Sequence, residues 1–179
     1  LNWSSVGNWI STSSFLSFIL SANIASRYRI SSSYSKTMLC APSSNRDHLA
    51  SIIVWSFLMG VIQLFFSLSI TLSLKSGNLF FSDILLAVIY IAPIIILMSN
   101  IGVLIGLSCE KSSVRLAVSI VFLIFMLFSS GMFVPIHQNL PYIFTLSPFH
   151  VSVQNIQAIM TNDPSIIFPA FVLLFISIV

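Results

Sequence analysis

Three stretches of this chain run for the length of a membrane-crossing helix without one charged side chain: Leu49 to Leu74, Ile84 to Ser108 and Leu116 to Val134. A hydrocarbon layer about 30 Å thick is crossed by about 20 helical residues, and only helices or closed barrels satisfy their backbone groups inside it. A barrel strand alternates polar and apolar residues, whereas IIVWSFLMGVIQLFF and IVFLIFMLF are apolar on every side. The fold class that follows is all-α, a polytopic transmembrane helical domain. Composition closes off the other solution. Only 6% of the residues are charged, against about 25% in soluble domains, and 7 Lys+Arg with 4 Asp+Glu cannot dress the surface of a water-soluble globule.

Five spans are expected, near 9–25, 49–73, 84–108, 114–134 and 165–179. The first is rich in serine and weak, and the last meets the end of the chain. The sequence opens at Leu1 and stops at Val179 inside an apolar run, so it reads as a piece of a longer polypeptide, and no signal peptide is recognisable at its start. With no internal repeat and no Gly/Ser linker, residues 1–179 form a single transmembrane domain. Basic residues set the orientation. Arg27, Arg29, Lys36 and Arg46 lie between the first two spans, Lys111 and Arg115 lie between the third and fourth, and the opposite side has Lys75 alone. Segments 26–48 and 109–115 therefore face the cytoplasm, while the 75–83 loop and the 135–164 segment face outward.

Few residues here are equipped for catalysis. No glycine begins a phosphate-binding loop ending in Lys and Ser or Thr, so the chain has no ATPase site of its own. Its basic residues are not interleaved with stacking aromatics, so no nucleic-acid partner is expected. Cys40 and Cys109 stand apart from each other and from any metal-ligand spacing, so no metal site is indicated. The three charge-free runs hold Gln63, Asn100 and many Ser and Thr, residues that bond across helices. Gly102 and Gly106 have the spacing of a close helix contact, within the chain or at a dimer seam. Pro93 removes a backbone hydrogen bond and marks a bend or hinge. His137, His150 and Asp163 share the outer side, which leaves open an intramembrane enzyme acting on lipid or a lipid-linked sugar. A structural membrane anchor is a third possibility.

Two polar segments are less ordinary. In the first, residues 31 to 39 suit a short surface helix stopped by Pro42, after which Asn45 can cap the next span with Asp47 in its first turn. The second, from Ser129 to Met160, carries Pro135, Pro141 and Pro148 and no basic residue. Short helices dipping back into the outer leaflet are its simplest structure, with Tyr142, Phe144 and Phe149 in the interfacial zone.

At these two segments the sequence resembles the membrane subunit of type 2 ABC exporters. That family has a cytoplasmic loop running from a charged start through a short helix with a leucine to a small residue, Pro, Ser and Arg. Here Arg27, Arg29, Leu39, Ala41, Pro42, Ser43 and Arg46 stand in that order. After the penultimate span the family has Ser-Gly, a Pro four residues on, a Leu-Pro and a Pro before an aromatic residue, matched by Ser130, Gly131, Pro135, Leu140, Pro141, Pro148 and Phe149. At the start of the loop the family often has Glu followed by Gly-Thr, whereas this chain reads Ser26-Arg27-Tyr28-Arg29 and then three serines. The resemblance implies a permease subunit that moves an amphipathic, lipid-linked or drug-like substrate across the cell membrane as a multi-pass protein. Its coupling helix near 31–39 would meet a separate ATP-binding cassette subunit through Arg27, Arg29, Tyr34, Lys36, Leu39, Pro42 and Arg46. ATP would be bound by that partner, with no cofactor in this chain. A second permease subunit, identical or not, would complete the pathway, and the proline-rich outer segment would gate it.

Overall fold

The computed structural model of the chain describes residues 3–30, 44–74, 81–129, 148–150, 152–153 and 156. Among them there is no strand, and four long helices follow one another: α1 (Trp3–Ile30), α2 (Asn45–Leu74), α3 (Phe81–Ser108) and α4 (Ser112–Ser129). The described residues between 148 and 156 are helical as well. The helices outrun the expected spans: α1 starts at Trp3 rather than near residue 9, and carries residues 26–30 of the expected loop as helix. At 28 residues, α1 extends about 42 Å. That exceeds the hydrocarbon thickness of about 30 Å, so its end turns reach the headgroup zones. The expected helix at 31–39 and the final span at 165–179 lie outside the described residues.

Segments long and apolar enough to cross a membrane occur in α2, at Asn45–Ile70 with mean hydropathy 2.2, and in α3, at Val88–Ser108 with mean hydropathy 2.4. Most of α4, Ser112–Phe128, is a shorter apolar helix. The weak first span has a structural reason. Ser11, Ser13, Ser14, Ser17, Ser21 and Ser26 are all buried, so α1 turns these serines toward other helices and away from lipid. Its contacts with α3 are the most extensive in the bundle and those with α2 come next. Several hydroxyls satisfy themselves on the helix's own carbonyls: Ser13 donates to Trp9 (2.7 Å), Ser21 to Phe18 (2.9 Å) and Ser26 to Asn23 (2.8 Å). Such back-bonding removes the cost of a bare buried hydroxyl and leaves a thin side chain that lets a neighbour come close.

The opposite arrangement holds on α2 and α4. Trp55, Phe65, Phe66 and Ile70 on α2, and Leu116, Val121, Phe125 and Phe128 on α4, are exposed. In water such faces would aggregate; in a bilayer they meet their own solvent. The core lies between α1 and its neighbours, where Trp9, Phe18, Leu64, Ile91, Ile95 and Met98 are fully enclosed or nearly so. Phe122 of α4 stacks on Phe18, with ring centroids 5.4 Å apart, and ties the fourth helix to that core.

Candidate functional site

One end of the bundle collects the described basic residues. Ala25, Ile52 and Val103 form a second small core there, with Ile24, Leu49, Ile53 and Leu107 packed on it. The end of α1, the start of α2 and the end of α3 therefore lie side by side. Arg27 and Arg46 flank this cluster, both exposed, and Lys111 and Arg115 follow the short turn after α3. Arg29 is in the last turn of α1. Tyr34, Lys36, Leu39 and Pro42 lie outside the described residues.

The two feet of the polar loop are joined directly. The Tyr28 hydroxyl donates to Asn45 Oδ1 at 3.2 Å, and the Tyr28 ring lies 6.3 Å from the His48 ring. Asn45 is thus a partner of α1, and the cap is its neighbour. Ser44 accepts from the Asp47 N–H through Oγ (3.3 Å), while Asp47 Oδ2 accepts from the Ser44 N–H (3.0 Å) and the Ser44 hydroxyl (2.9 Å). This reciprocal pair is a capping box, which satisfies two backbone donors that a helix start otherwise leaves bare. The expected cap at Asn45 is off by one residue. The Ser-x-x-Asp spacing in SNRD was the available signal. Replacing Ser44 by alanine is expected to cost about 1 kcal/mol, read as faster amide exchange confined to the first turn of α2.

The seam between α1 and α3 is equally specific. A Cβ added to Gly102 would stand 2.5 Å from the Phe18 carbonyl oxygen and would also strike the Ser21 hydroxyl. At Gly106 it would stand 2.5 Å from the Ala22 carbonyl oxygen and 2.9 Å from Ala25 Cβ. The face bearing both glycines is therefore occupied by α1 of the same chain. One turn earlier the Ser17 and Ser99 hydroxyls bond to each other, and Ser99 also donates to the Ile95 carbonyl at 3.0 Å. Pro93 is buried inside α3, which stays helical from Phe81 to Ser108.

Near the middle of α1, Phe149 is only 1% exposed and belongs to the main core, 6.4 Å from the Phe15 ring. The sequence places it in the interfacial zone, whereas the wall of α1 offers it a closed apolar seat. Val153 and Ile156 join it there. Pro148 is half-buried, and its carbonyl accepts from the Ser152 hydroxyl at 2.8 Å. Ser130, Gly131, Pro135, Leu140 and Pro141 lie outside the described residues. Of the three outer acid/base candidates only His150 is described, and it is buried; His137 and Asp163 are outside. Among the described residues no cluster of His, Cys, Asp or Glu is arranged to hold a metal ion.

Helices that turn serines toward one another and apolar faces outward, with the described basic residues at one end, make an integral membrane bundle. Residues 5–179 match the family of ABC-2 family transporter proteins, and the chain belongs to that family. It is a membrane permease of an ABC transporter. Comparison with curated proteins and with solved structures finds no match.

Proposed function

We propose that this chain is the permease subunit of an ATP-driven exporter for an amphipathic, lipid-linked or drug-like substrate, worked by a separate ATP-binding cassette subunit docked on residues 31–39. The observation that carries the reading is the joined base of that loop. Because Tyr28 of α1 bonds Asn45 of α2, a push on the intervening segment acts on both helices together. Since α1 packs along α3, the displacement passes into the centre of the bundle. This is the hinge-and-shear manner in which packed helices move. A second permease subunit, identical or different, completes the pathway, and the assembly resides in the cell membrane. ATP is bound by the partner.

The test is copurification. The full chain, tagged and expressed in its native host, is expected to retain an ATP-binding cassette protein through detergent extraction. Deleting residues 31–39 is expected to release it while the permease stays folded and monodisperse in detergent. Retention of the ATP-binding protein by the deletion variant would overturn the docking assignment.

A further inference from the structure

A cleft of about 160 Å³ opens between α1 and α4, room for more than a single water molecule. Its wall on α1 is Ile19, Ala22 and Asn23, and α4 contributes Arg115, Ser119, Ile120 and Leu123 among others. These positions repeat at three and four residues on each helix, so each set forms one stripe. The two helices run in opposite directions, since the end of α1 and the start of α4 both lie at the basic end of the bundle. Asn23 on α1 thus falls at the level of the Arg115 turn, and Ile19 falls deeper, toward Leu123. The cleft is polar at its mouth and apolar about 12 Å further in, the rise of eight helical residues.

The mouth holds an unusual charge. Arg115 is half-buried, and its Nη1 atom is buried without a hydrogen-bond partner. An unpaired cationic donor in a low-dielectric setting is costly, and near a membrane surface an arginine ordinarily extends its head into water. Here that atom faces inward. Asn23, exposed, and Ser119, half-buried, are the polar groups contributed by the two walls, and neither is acidic. Nothing on the walls neutralises the guanidinium. What fits a cationic mouth above an apolar slot open to lipid is a molecule with an anionic head and a hydrocarbon tail.

We propose that the α1–α4 cleft binds an acidic phospholipid of the inner leaflet, its phosphate on Arg115 and its acyl chain along Ile19, Ile120 and Leu123. The phosphate supplies the acceptor that Nη1 lacks, and the chain fills the slot. Arginine suits the role because its fork offers parallel donors to two phosphate oxygens. The site differs from the loop at 31–39 and does not depend on that loop's function.

The test uses the full chain in nanodiscs of phosphatidylcholine doped with phosphatidylglycerol carrying a photoreactive acyl chain. Labelling is expected on 19–23 and 115–123, and photoreactive phosphatidylcholine is expected to label those residues only weakly. Arg115→Gln is expected to lower phosphatidylglycerol labelling about fivefold, the weight of one basic residue against an anionic lipid. Arg115→Lys should retain most of it. Ser119→Phe, which keeps the charge but fills the cleft, should abolish labelling, and it gives a second reading independent of the folding of Arg115→Gln. Excess inorganic phosphate, at matched ionic strength, should not displace the lipid. Equal labelling by the two lipids, unchanged labelling in Ser119→Phe or in folded Arg115→Gln, or displacement by inorganic phosphate would each overturn the proposal.

Discussion

Gly102→Leu is expected to separate α1 from α3 and to leave little folded protein. The obstacle at this glycine is backbone: the Phe18 carbonyl oxygen lies 2.5 Å from where a Cβ would stand. A side chain in the way can change rotamer, but a carbonyl moves only with its helix. Overpacking a tight core costs about 1–3 kcal/mol and occasionally more, and a leucine aimed at main chain belongs at or above the upper end. The loss also spreads. Moving α1 away opens the Ser17–Ser99 bond and the contact at Gly106. Thermal unfolding in detergent, followed by circular dichroism, measures the effect. Leu104→Ala is the control, because Leu104 is 63% exposed on the same helix and its truncation should change stability very little. A melting temperature for Gly102→Leu equal to that of the parent would show that α1 does not lie where it is described.

Phe149→Ala carries the second large effect, a local detachment of residues 148–156 from α1. In soluble cores the removal of a buried phenylalanine costs about 3–5 kcal/mol. In a bilayer the hydrocarbon also solvates the exposed groups, so about 2–3 kcal/mol is expected here, mostly lost packing. The reporter is Ser152→Cys in a chain whose Cys40 and Cys109 are replaced by serine. Ser152 is 2% exposed, so a thiol there should resist a small maleimide in the parent. With alanine at position 149 it should react readily. If the thiol stays protected, Phe149 is not what holds the segment down.

The sequence discloses the lipid-facing helices plainly, because α2, α3 and α4 carry charge-free apolar runs that have no other stable environment. It discloses α1 poorly for a physical reason. Hydropathy counts a serine against insertion wherever it points, and the buried Ser13, Ser17 and Ser21 point at protein. The apolar runs stop short of the helix ends, because polar residues such as Arg27 and Tyr28 continue α1 beyond them. Gly102 and Gly106 announce that something approaches closely; their spacing does not say which helix comes. The cleft at Arg115 was not legible at all. Its walls are separated by some ninety residues of chain, from Asn23 to Arg115, and the packing of α4 on the main core, with Phe122 on Phe18, brings them together.

The serine-lined face of α1 also bears on how the protein is made. A segment whose hydroxyls have value only beside a partner is a poor client for release into bare lipid as it leaves the ribosome. Its main neighbour, α3, begins some fifty residues after α1 ends, so the serine face is fully covered only once that later helix packs against it.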